Sequence, residues 1–188
     1  MIFEVLQVVM EEVNAYFGTT AISLENIANV EQDVDGESNG VFLSLLNMKE
    51  EYALKNTSNN QVSGVDINYR NPKVSLNLYL MFSANNLTYK ESLKSISKII
   101  EFFQGKKIFT QDNTNYKKED EMLNVKNFRF IVDLFTPSFE ELNFIWGTLG
   151  GKQYPSVIYK VSLIEIERDA TSRRGSVISG LGTSMNNN

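Results

Sequence analysis

At 188 residues, with 42% hydrophobic and 11% aromatic side chains, the chain is long enough to bury a core without staples and too apolar to be disordered throughout. It contains no cysteine and no histidine, which excludes disulfides, thiolate metal sites, cysteine nucleophiles and every mechanism that needs an imidazole base. The net charge of −5 is uneven: residues 1–51 hold ten acidic side chains and one basic, whereas residues 90–129 hold nine basic and six acidic.

The first helix is predicted at the start. Ile2, Leu6, Val9, Val13 and Phe17 recur every three or four residues, with Glu4, Glu11 and Glu12 on the other side, which is one apolar face of an amphipathic helix. Gly18 is the expected stop. AISLENIANV reads as a short strand and EQDVDGESNG as an acidic turn. Val41, Leu43 and Leu45 then alternate, so a strand begins there and is expected to run to about Leu54 as an extended arm. Residues 55–73 are polar and rich in Asn and Ser; they read as a mobile loop between two strands.

VSLNLYLMFSANN is the cleanest strand. Val74, Leu76, Leu78, Leu80 and Phe82 fall on one face, and Ser75, Asn77, Tyr79, Met81 and Ser83 on the other. Thr88 and Glu91 form a capping-box pattern, followed at helical spacing by Leu93, Ile96, Ile100 and Phe103, with Gly105 as the stop. KKIFTQ is a short strand and DNTNYKKEDEMLN a charged loop. Phe128, Phe130, Val132 and Leu134 define another strand.

Ser138 and Glu141 make a second capping box, with Thr136 as the competing cap if Pro137 takes the first turn. Phe139, Leu142, Ile145, Trp146 and Leu149 line a third helix, which Gly150-Gly151 ends. The last strand carries Val157, Tyr159, Val161 and Leu163. Beyond Arg168 the chain is small, polar and aperiodic, so residues 169–188 are expected to be a flexible tail after a domain of residues 1–168. The fold class is α+β (mixed α/β): one mixed, largely antiparallel sheet flanked by two or three helices. There are no internal repeats, and strands and helices do not alternate as in a Rossmann fold.

No catalytic or ligand-binding constellation emerges. Asp33, Asp35 and Glu37 in DVDGE open like a calcium loop, but Ser38 and Ser44 stand where glycine and the final glutamate belong. LGGKQY follows a helix, whereas a phosphate loop precedes one, so its glycines read as a helix stop. Glu140 and Glu141 are adjacent and diverge on a helix, which suits the dipole at its start rather than paired carboxylate catalysis. Arg173-Arg174-Gly175-Ser176 resembles a basic-directed phosphorylation site, a pattern short enough to arise by chance. Trp146, the single tryptophan, shares its face with Leu142, Ile145 and Leu149, so it reads as core rather than as a binding hot spot. Catalytic, cofactor and metal residues are therefore none, and no cofactor is expected. An enzyme acting through Asp133, Glu140 and Glu141 alone has nothing to recommend it.

What remains is binding and assembly. Nucleic-acid binding is disfavoured without a positive face. Separate acidic and basic parts suit head-to-tail contact between identical subunits; solvated surface accounts for them as well. No basic signal region is visible, and no stretch approaches the ~20 apolar residues that span a bilayer. Cytoplasmic synthesis without membrane insertion is the expectation.

Four segments in order, MIFEVLQVVMEEVNAYF, VSLNLYLMFSANNLTYKESLKSISKIIEFFQ, FRFIVDLF and TPSFEELNFIWGTLGGKQYPSVIYKVSLIEIE, resemble the N-terminal-domain family of tube-terminator (cap) proteins of contractile injection systems, formerly a domain of unknown function. The resemblance runs from about residue 2 to about 168, and EELNFIW with the following SVIYKV strand is its most specific part. It implies a tail-terminator-like fold and a structural, non-enzymatic protein that forms a sixfold ring on the distal end of the inner tube, ends tube growth and joins tube to sheath. The implied partners are copies of itself in a hexamer and the tube and sheath subunits. The implied location is a phage-tail-like particle, released or membrane-anchored as a whole. The 55–73 loop and the 169–188 tail are then candidate docking arms; as solvated linkers they need no such role. The alternative is a small binding or chaperone module for another component or a cargo of the same particle.

Overall fold

Two units make up the chain: residues 1–50 with 76–164, and residues 51–75 with 165–188. The structure, a computed structural model, describes residues 2–19, 21–30, 39–52, 60–63, 66–70, 74–116, 128–166 and 171–176.

The first unit holds a six-stranded sheet. Its strands are β1 (Ile22–Leu24), β2 (Gly40–Glu50), β5 (Val74–Asn85), β6 (Ile108–Thr110), β7 (Arg129–Phe135) and β8 (Ser156–Ile166), in the order β1-β2-β5-β8-β7-β6. β1 runs parallel to β2, while β2–β5, β6–β7 and β7–β8 are antiparallel. The sheet is thus mixed and largely antiparallel, as expected. Among the described residues three α-helices accompany it: α1 (Ile2–Phe17), α2 (Tyr89–Gly105) and α3 (Phe139–Thr148).

Burial of both faces of β5 sets the layering. Leu78, Leu80 and Phe82 pack with Val5, Val9 and Val13 of α1 and Ile96, Ile99 and Phe103 of α2 in the larger core. On the opposite face Met81 joins Phe42, Ile158 and Trp146 of α3 in a smaller core. Asn77 and Ser83 on that second face are buried too, so protein covers both faces of β5. Helices α1 and α2 lie on one side of the sheet and α3 on the other.

Aromatic rings fill the larger core. Phe103 meets Tyr159 at 4.3 Å between centroids, Phe102 at 4.9 Å and Phe82 at 5.6 Å. Phe109 stacks on Phe130 at 5.1 Å. Offset and edge contacts of this kind add to area burial.

Polar side chains tie the ends together. Glu12, nearly buried on α1, accepts from Lys106 Nζ at 2.6 Å and from the Asn115 backbone N–H, fastening the chain after β6 to α1. Asn14 takes the N–H and the carbonyl of Ile22 (2.8 and 3.0 Å), so the edge strand β1 finds a strand-like partner in a side chain. Both edge strands of this sheet span three residues, short enough to discourage uncontrolled pairing.

The second unit holds β3 (Asn60–Ser63), β4 (Asp66–Arg70) and β9 (Thr171–Ser176) as a three-stranded antiparallel sheet, order β3-β4-β9. This corrects two expectations of secondary structure. The 55–73 stretch, read as a loop, contains a hairpin, and the 169–188 tail contributes a strand. Ser63 pairs with Asp66, so two residues connect β3 to β4, and Gly64 is the first of them. Glycine at that point is a hairpin signal that the polarity of the stretch hid. The expected arm after Val41 is also corrected, because β2 ends at Glu50.

Phe103→Ala is expected to cost about 3–5 kcal/mol, by lost transfer energy and the cavity left behind; urea denaturation measures it. Burial pushes the Tyr159 hydroxyl up from 10.0 to about 12. The folded state then keeps a proton that the unfolded chain loses, so this contribution is intact below pH 10 and falls away between about pH 10 and 12. The expected slope is at most about 1.4 kcal/mol per pH unit. Comparing Tyr159→Phe with the parent over that range should show the slope flattened in the variant.

Candidate functional site

The residues weighed from sequence do not converge on a reaction centre. Asp33, Asp35 and Glu37 lie outside the described residues. Among the described residues, no group of three His, Cys, Asp or Glu could hold a metal. Arg173 to Ser176 form most of strand β9 and pair with β4.

The helix of the LGGKQY segment ends as anticipated. Gly150 takes φ 101°, and the Gly151 N–H reaches the Trp146 carbonyl at 2.7 Å. That is the six-to-one bond of a Schellman cap, with the left-handed residue where glycine is favoured. At the other end Ser138, not Thr136, is the cap. Its hydroxyl accepts from the Glu141 N–H (3.2 Å), and the Glu141 carboxylate accepts from the Ser138 N–H (2.8 Å). Glu141 is thus engaged in the fold, while Glu140 is exposed beside it. The second expected box, Thr88 with Glu91, is formed too.

Trp146 is buried at 5% exposure against Tyr154, centroids 5.9 Å apart, and so belongs to the core. The α3 layer is nevertheless lightly built. Trp146 is the only buried side chain of α3, with Leu142, Ile145 and Leu149 half-buried. Among the described residues, Ser83 Oγ, Trp146 Nε1 and Tyr154 OH are buried without a hydrogen-bond partner. Each such group carries a desolvation penalty of about 1–3 kcal/mol.

The sequence missed the surfaces. On α2 the face assigned from spacing is rotated: Ile99 and Phe102 are buried beside Ile96 and Phe103, whereas Leu93 (45% exposed) and Ile100 (42%) lie outside the core. With Tyr89 they form an apolar margin. On α3 Phe139 is 92% exposed and Phe144 71%, and Leu134 at the end of β7 is 57% exposed. Tyr89, Ile100, Leu134 and Phe139 together line a cleft of about 690 Å³. These four exposed apolar side chains are therefore clustered rather than scattered.

A second concavity, about 700 Å³, lies along the outer side of α2. Lys90, Lys94 and Lys98 run along it at four-residue spacing, with Leu93 and with Tyr16 of α1. Lys98 Nζ sits 4.5 Å from the Phe17 ring centre and 5.7 Å from that of Tyr16. Desolvation first, and then a hydrogen bond to the Glu101 carboxylate, hold the Tyr16 hydroxyl above the usual tyrosine range. A hydroxyl kept protonated beside a carboxylate and a cation held over aromatic faces make a shaped, charged groove.

The family described as the Pvc16 N-terminal domain matches residues 4–180. This chain belongs to that family. The match reaches beyond residue 168 and so takes in β9. In fold the chain is similar to the sheath/tube terminator of an extracellular contractile injection system, the PVC, in its extended state, with TM-score 0.65 and 11% identity over all of this chain. It is also similar to the tube-terminating cap of the anti-feeding prophage, with TM-score 0.61 and 12% identity over 98% of it. The chain spans 64% and 62% of the length of those two proteins. No curated protein matches it. No described helix is long and apolar enough to cross a membrane.

If the exposed aromatics are surplus to folding, Phe139→Ser and Phe144→Ser should each change unfolding free energy by no more than about 0.5 kcal/mol. Trp146→Ala, by contrast, should cost about 3–5 kcal/mol. Chemical denaturation of the three variants distinguishes the two classes.

Proposed function

We propose that this chain is a tube-terminating cap domain of a contractile injection system: a structural protein that assembles as a ring, six copies in the resembling family, on the distal end of the inner tube. There it ends tube growth and presents the surface to which the sheath is joined. The observation that carries this reading is the likeness of the whole chain, both sheets included, to a sheath/tube terminator. The described residues offer shaped, charged and apolar surfaces, which suits a protein that works by contact. Its partners are further copies of itself and the tube and sheath subunits, and its place is within the assembled particle. The matched terminators are about half as long again as this chain, so their remaining parts belong to the comparison only as far as the shared domain goes.

A strain lacking the chain should build tubes of variable length with unanchored sheaths, seen by negative-stain electron microscopy. Restoring the gene in trans should return a uniform length. Uniform, fully sheathed particles in its absence would overturn the reading, and a one-to-one complex with a single cargo or fibre protein would replace it with a chaperone role.

A further inference from the structure

Two surfaces of the first unit are complementary, and the sheet holds them on opposite sides. The groove on the α1/α2 layer presents Lys90, Lys94 and Lys98 beside Leu93 and Tyr16, with Glu101 engaged by Tyr16. The α3 layer presents Glu140 and Phe144, both exposed. Helix α3 carries two glutamates and no basic residue, whereas the groove carries three lysines and one glutamate. We infer that the exposed side of α3 on one copy docks into the α1/α2 groove of the next copy. Phe144 covers Leu93, and Glu140 sits among the groove lysines.

The inference rests on the cap reading and specifies which surfaces of the domain close its ring. Because α3 and the groove lie on opposite faces of the sheet, such a contact joins unlike surfaces. It therefore propagates head to tail, and it gives a ring where the rotation between copies closes. Charge at the rim fixes register and rejects like-charged mispairing, while the apolar centre supplies the burial. The occupant is another copy because the patch that fits the groove in charge and apolar content is carried by the same chain.

The test uses the absence of native cysteine. Leu93→Cys and Phe144→Cys chains are purified separately, mixed, and oxidised in the presence of tube subunits. A disulfide-linked dimer should form in the mixture and in neither variant alone, and a chain with both substitutions should give a ladder on a non-reducing gel. Lys94→Glu and Glu140→Lys should each weaken self-association at least tenfold by analytical ultracentrifugation, and the double variant should recover it. Both positions are exposed, and unchanged circular dichroism shows that the fold is intact. Oligomers without the mixed-pair crosslink, or a double variant no better than the singles, overturn this interface and leave the cap reading standing. A chain that stays monomeric even with tube subunits present overturns both.

Discussion

A strand that is buried on both faces cannot be served by a single layer of helices, and β5 is such a strand. Leu78, Leu80 and Phe82 need one cover, and Asn77, Met81 and Ser83 another. The first is supplied by α1 and α2 with a dense set of aromatic rings, the second by α3 and Trp146. Transfer of apolar surface from water stabilises both. Two helical layers on opposite faces give the domain two unlike outward surfaces.

The two layers are not equal. The larger core draws on both long helices and every strand of the six-stranded sheet. The smaller one rests on a ten-residue helix with one buried side chain and has orphaned polar atoms beneath it. A helix this short is marginal on its own, so its capping box, its Schellman stop and Trp146 carry much of its order. Exposed Phe139 and Phe144 on such a helix are unfavourable in a free monomer. Burial against a partner would remove that cost, as expected where a surface is shaped for assembly.

Charge follows the same division. The lysines of α2 line a groove, and the glutamates at the start of α3 complement its dipole while giving that surface the opposite sign. Among the described residues buried charge is confined to Glu12, which Lys106 and the Asn115 amide satisfy. Such a pair fixes geometry more than it adds stability.

The amino-acid sequence by itself determined the helices, their caps, the principal strands and the absence of imidazole and thiol chemistry, because these depend on local periodicity and on residues within one turn of each other. Ser138 with Glu141 and the alternation from Val74 to Phe82 are of this kind. The resemblance of four segments to tube terminators was also legible, and the family match bears it out. Tertiary structure alone decided the rest. Which arc of α2 is buried depends on where the sheet lies, so Leu93 and Ile100 changed places with Ile99 and Phe102. The β4–β9 pairing joins backbones about a hundred residues apart, and backbone hydrogen bonds of that range leave no periodic trace in polar segments. The opposed placement of the lysine groove and α3 likewise exists only once β5 is covered on both sides, since no property of either helix says which face of the sheet it will occupy.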